Sequence, residues 1–136
     1  MPREIKFRAW DKEERCLIPP AEIAITAEGT IYTWDRIDEE WQAEAIPIEV
    51  YEYTGLHDKN GKEIYEGDIV KFSYISPLDQ KEKSYIWVVR YGNGMYWLRH
   101  IKHYYDSTLY LKFTQIEVVG NIYENPEFLA GEVNHV

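Results

Sequence analysis

The stretch YTGLHDKNGKEIYEGDIVKF, residues 53–72, decides the fold class of this chain. The residues leading into it, EVYEY, alternate apolar and polar side chains, the period of a strand with one buried face. Within DKNGKEI, Asn60 and Gly61 are the pair that a two-residue type I′ hairpin turn favours, since both of its central positions need a positive φ. Within YEGDIVKF, Gly67 permits a backbone reversal, and Asp68 can bond the amides that follow it. Residues 69–75 then alternate as the next strand. This is how a chain enters a small barrel or a curled sheet.

The flanking sequence has the same character. Residues 4–10 place Ile5, Phe7 and Ala9 on one side of a strand and Lys6, Arg8 and Trp10 on the other. A charged turn over residues 11–15 leads to a short return strand at CLI, which Pro19 and Pro20 stop by removing two backbone donors. EIAIT and TIYTW form a second hairpin around Ala27, Glu28 and Gly29. Residues 35–45 break the pattern: Ile37 and Trp41 are spaced one helical turn apart, Asp35 is a capping residue, acids crowd the first turn and Pro47 follows. They predict a short helix, the alternative being an acidic loop pinned by Trp41. Further on, YIWVVRY and MYWLRH are two aromatic strands around Gly92, Asn93 and Gly94. TLYLKF and IEVVGNIY read as further strands, and Asn125 and Pro126 as the cap and first position of a closing helical turn.

The fold class expected is therefore mainly β: a small barrel-like or strongly curled antiparallel sheet, with an N-terminal β-hairpin region and one or two short helical segments. With 136 residues, one domain is expected, its hairpin region at about 1–50, its barrel-like core at about 51–125 and its helical turn at about 126–132. Apolar residues make up 45% and charged residues 29%, and the 12 Tyr and 5 Trp supply the buried area that disordered chains lack. No apolar run approaches the roughly 18 residues of a membrane span, and MPREIKFRAWD has no signal-peptide core, so no membrane partner is expected. A lone Cys16 cannot form an internal disulfide and gives no sign of an oxidising compartment.

The net charge of −9 is uneven. Through residue 50 there are twelve acids against six bases, whereas residues 83–116 hold Lys83, Arg90, Arg99, Lys102 and Lys112 against Asp106 alone. An acidic total disfavours non-specific binding to nucleic acid, whose affinity comes mostly from phosphate neutralisation by Lys and Arg.

Three blocks, REIKFRAWDKEERCLI, YTGLHDKNGKEIYEGDIVKF and VVGNIYENPEFL, resemble the YopX family. They cover a little over a third of the chain, in order. The resemblance implies a phage or prophage protein working in a bacterial cytoplasm, a mostly β fold with a small barrel-like core, and a homo-oligomer, since a member of that family assembles. It brings no catalytic residue, and the biochemical role of the family is uncharacterised. Residues 21–50 and 73–115 lie outside the blocks.

No motif for chemistry stands out. GNG lacks the GxGxxG spacing and has no following Lys or Ser/Thr of a phosphate loop, so it reads as a hairpin turn. His100 and His103 in HIKH project to opposite faces of a strand, without a CxxC or HExxH. His57 and Asp58 sit in a polar turn with no nucleophile elbow, and the carboxylates Asp35, Asp38, Glu39 and Glu40 read as a solvated face. No catalytic or metal residue and no cofactor are expected.

The segment 85–112 interleaves Arg and Lys with aromatic rings, and six residues are candidates for binding: Arg90, Tyr96, Trp97, Arg99, His100 and Lys102. Rings that stack bases beside cations that hold phosphates would suit single-stranded nucleic acid. The plainer reading is that half of these rings simply fill the core. Alternation places Met95, Trp97, Arg99 and Ile101 on one face and Tyr96, Leu98, His100 and Lys102 on the other, a mix that also suits a subunit interface. The favoured function is a non-enzymatic phage accessory protein that self-assembles or binds a host or phage protein. A nucleic-acid module using the basic aromatic hairpin is the alternative.

Overall fold

The computed structural model describes residues 4–43, 46–101, 106–109 and 115–127. It is mainly β, with a strongly curled, half-barrel antiparallel sheet and a 3-10 turn at Pro20–Glu22. The chain divides into two compact units, one of residues 7–51 and the other of the preceding residues together with those from Glu52 onward.

The smaller unit is built from hairpins. β1 (Phe7–Asp11) pairs with β2 (Cys16–Leu17), and β1 is flanked on its other side by the start of β6 (Ile48–His57). β3 (Ile23–Ile25), β4 (Ile31–Asp35) and β5 (Glu40–Ala43) form a separate three-stranded sheet. β5 occupies the segment whose spacing predicts a helix, and the reason is cross-strand packing. Trp41 lies directly opposite Trp34 in register, and the two indoles meet edge to face with centroids 5.4 Å apart. Asp35 caps not a helix but a turn: its Oδ1 accepts from the amides of Ile37 (2.8 Å) and Asp38 (3.0 Å), while Ile37 stands in solvent.

The same device recurs along the chain. Asp11 Oδ1 accepts from the amides of Glu13 (2.9 Å) and Glu14 (3.0 Å), and Ser76 Oγ from that of Leu78 (3.3 Å). Each of these four-residue turns closes on a long side chain in the left-handed region: Arg15 (φ 57°), Glu39 (φ 52°) and Gln80 (φ 61°). An Asx- or Ser-initiated turn is thus the chain's usual way of reversing direction without glycine.

The larger unit contains the rest of β6, β7 (Glu63–Tyr65), β8 (Asp68–Ile75), β9 (Glu82–Gly92), β10 (Met95–His100), β11 (Asp106–Thr108) and β12 (Ile116–Asn121). Its main sheet runs β11-β10-β9-β8-β12, all antiparallel, so the last strand returns to lie beside β8. Strand alternation sends Val70, Trp87, Val89, Leu98, Ile116 and Val118 into the main core, where Ile64 of β7 and Leu109 join them. The opposite face buries a second cluster of Ile69, Val88 and Ile101.

The stretch 53–72 organises this unit. β6 and β7 form its hairpin, but the turn is not the type I′ turn expected at Asn60 and Gly61. Only Gly61 of the pair has a positive φ (82°), Gly61 N donates to Asp58 O (3.0 Å), and Asp58 N donates to Lys62 O (2.8 Å). That is a three-residue loop with glycine in the left-handed position, and Thr26 to Thr30 repeat it around Gly29. A true type I′ pair occurs instead at Asn93 (φ 51°) and Gly94 (φ 78°), between the paired residues Gly92 and Met95.

Asp58 is buried, and its side chain ties the turn together and then reaches further. Oδ1 accepts from the amides of Asn60 and Lys62, both at 2.9 Å, and Oδ2 from the amide of Val118 in β12 at 2.8 Å. Lys59 N donates to Ile116 O (3.0 Å) on the same strand. The turn therefore covers an edge of the sheet that would otherwise present unpaired backbone groups.

Gly67 and Asp68 act at the other sheet junction. Gly67 N donates to Val89 O (2.8 Å) and its carbonyl accepts from Ile122 N (2.9 Å), so one residue joins β9 to the end of β12. Asp68 is fully buried and accepts from the preceding amide of Tyr65 (2.8 Å), not from the following amides that the sequence reading proposes. The closing helical turn expected at about 126–132 lies mostly outside the described residues.

Candidate functional site

The β9–β10 hairpin positions the residues that sequence composition picks out. Arg90 sits directly opposite Trp97, Arg99 lies opposite Val88, and these side chains share one face of the hairpin. The rigid turn at Asn93 and Gly94 fixes the register. The Trp97 indole is held in place because its Nε1–H donates to Gly92 O at 3.0 Å. Around them is a cleft of about 340 Å3 lined by Arg90, Tyr91, Gly92, Asn93, Trp97 and Arg99.

Three of the six candidates are therefore brought together: Arg90, Trp97 and Arg99. Tyr96 and His100 point to the other face. Tyr96 packs on the main core and meets Tyr91 edge to face at 5.1 Å, and His100 is buried between the rings of Trp87 (5.1 Å) and Tyr85 (5.5 Å). His100 is thus buried, and Tyr96 is half-buried against the core. Lys102 lies outside the described residues, as does His103, the partner of His100 in HIKH.

Charge around the cleft is mixed. Glu66 feels the Arg90 guanidinium, which lowers its pKa, but burial and the neighbouring Glu52 carboxylate outweigh this and push it above the ordinary range. Tyr53 and His57, by contrast, form a side cluster with no hydrolytic geometry. The rings meet edge to face at 6.0 Å, and Lys6 lies 5.6 Å from the centre of the Tyr53 ring while pairing with Glu63 at 2.6 Å.

Two surfaces went unmarked by motif reasoning. In the smaller unit, a groove of about 560 Å3 is lined by Cys16, Ile18, Thr33, Trp34, Arg36 and other residues, with a two-point Arg36–Glu22 ion pair at its rim. In the larger unit, among the described residues, the β8–β9 pairing extends further than the pairings on either side of it. The β12 pairing stops at Phe72 and the β10 pairing at Trp87, whereas β8 and β9 stay paired to Ile75 and Glu82.

Comparison with known proteins gives these features a setting. The profile of the YopX protein family matches residues 6–130, nearly the whole chain. The chain belongs to the YopX family. The SPbeta prophage-derived uncharacterized protein YopX of Bacillus subtilis (strain 168) is 36% identical over 75 residues, which are 52% of this chain and 53% of that one; the match thus spans about half the length of this relative. Protein EF1440 from Enterococcus faecalis has a similar crystal structure, with a TM-score of 0.60 at 24% identity over 94% of this chain and 99% of that one. The yopX crystal structure from Bacillus subtilis gives the same TM-score at 22% identity, covering 90% and 96%. At these identities the structural likeness shows the YopX fold. Among the described residues, no helix is long and apolar enough to cross a membrane.

Proposed function

We propose that this YopX-family chain is a non-enzymatic accessory protein of a phage or prophage, working in the cytoplasm of a bacterial host by self-assembly or by binding a host or phage protein. The observation that supports it is the far end of the β8–β9 hairpin. Residues 73–75 and 82–84 form a two-stranded ribbon without a further strand on either side among the described residues. Ile75 is 60% exposed and Leu78 at its tip 95% exposed, and the Tyr74 and Tyr85 rings stack at 5.9 Å along it.

A two-stranded ribbon with an exposed apolar tip is marginally stable in water by itself. A strand or apolar surface of another chain laid against it would bury Ile75 and Leu78. Charge does not oppose this, because Asp79, Lys81, Glu82 and Lys83 balance locally, with Lys83 paired to Asp79 at 3.1 Å. The prophage origin of the Bacillus subtilis relative supports the phage setting.

The test is the mass of the native chain by light scattering, with a Leu78→Asp variant alongside. A multiple of the chain mass that falls in the variant assigns the ribbon to self-assembly. A single-chain mass with a co-purifying protein that the variant loses assigns it to a partner, and a strict monomer with nothing bound contradicts the proposal.

A further inference from the structure

We propose that the cleft beside the β9–β10 turn binds one nucleotide unit, the base stacked on the Trp97 indole and the phosphate held by the Arg90 and Arg99 guanidinium groups. This is a separate property from the ribbon contact and rests on different residues. The cleft volume of about 340 Å3 is within the range of small-ligand sites. Arg90 and Arg99 are exposed and flank Trp97 on one face of paired strands, so with the base over the ring the phosphate lies to its side, within the guanidinium-bearing rim of the cleft.

The cleft is preorganised. The type I′ turn fixes the two strands, and the Nε1–H bond to Gly92 O (3.0 Å) holds the indole, so stacking does not first have to order the ring. Glu66 in the field of Arg90 and the net charge of −9 work against a long polyanion. They favour a single phosphate at a local site over a strand laid across the surface. The salt dependence should be correspondingly shallow, with log K falling by about 0.7 to 1.4 per decade of salt, as for one or two phosphates. The ligand can be a free nucleotide or one nucleotide of a single strand, and the shared chemistry is base plus phosphate.

The experiment is fluorescence anisotropy of a labelled twelve-residue thymidine oligonucleotide with the full chain at low salt, competed by thymidine monophosphate and by inorganic phosphate. Arg90→Gln and Arg99→Gln should each weaken binding about tenfold, and so should Trp97→Ala, whereas Trp97→Phe should retain most of it. Thermal melts confirm that the variants fold, and Tyr74→Ala on the ribbon should bind as the native chain does. Competition by the monophosphate supports the proposal with a free nucleotide as source; binding of the oligonucleotide alone supports it with a strand. Three results overturn it: no binding of either probe up to millimolar concentration, inorganic phosphate competing as well as the monophosphate, or the two Arg variants binding like the native chain.

Discussion

Two buried carboxylates, Asp58 and Asp68, hold the YopX fold at its junctions, and each belongs to a motif that reads locally as a turn. For Asp58, burial alone would raise the pKa, but the amides of Val118, Lys62 and Asn60 hold it below the ordinary carboxylate range. Asp58→Ala removes an acceptor from three amides, and the expected loss is about 3 kcal/mol of stability at neutral pH, measured by urea unfolding. The sign of its pH dependence follows from the lowered pKa. The contribution is present above the unfolded value of about 4 and fades as pH falls through the folded value, so native and variant stabilities converge in acid. Glu66 behaves oppositely. Its folded pKa is raised by burial and by Glu52, so stability is lost as pH rises from the unfolded value through the folded one. Glu66→Gln should raise the melting temperature at neutral pH and leave it unchanged well below pH 4. The sequence shows Asp58 in a turn, but its bond to Val118, sixty residues away, joins two blocks of the family pattern and has no local signature.

Strands and hairpins were legible wherever alternation and turn residues coincide: β1 and β2, β3 and β4, β9 and β10 all follow from them. Residues 35–45 were not, because an acidic turn and two aromatic residues fit a helix cap and a hairpin equally well until Trp34 supplies the cross-strand partner. The left-handed Arg15, Glu39 and Gln80 were also unmarked, since these residue types do not announce that conformation. Relief of their strain is measurable: Glu39→Gly should stabilise the chain by about 0.5–1 kcal/mol in thermal unfolding. At the other end, β12 bulges between Val118 and Gly120. A Cβ on Gly120 would come within 2.5 Å of Asn125 Oδ1, the acceptor of the Asn121 amide, so Gly120→Ala should cost about 1–3 kcal/mol.

The chain as a whole reads as mainly β from composition and periodicity, and the YopX family pattern follows from its three blocks. The candidate site was only half legible. Composition drew attention to residues 85–112, yet it could not separate Tyr96 and His100, which face the core, from Arg90, Trp97 and Arg99, which line the cleft. That distinction depends on which face of β10 meets the core. The ribbon at the end of β8 and β9 carries no motif, because its interest lies in the exposure of Ile75 and Leu78, which no local pattern announces. Self-assembly through it is tested by sedimentation velocity of the native chain against the double variant Ile75→Asp/Leu78→Asp, with circular dichroism to show that both fold. Self-assembly predicts a native species heavier than one chain and a variant that sediments as a monomer. A folded variant sedimenting identically to an oligomeric native chain would contradict it.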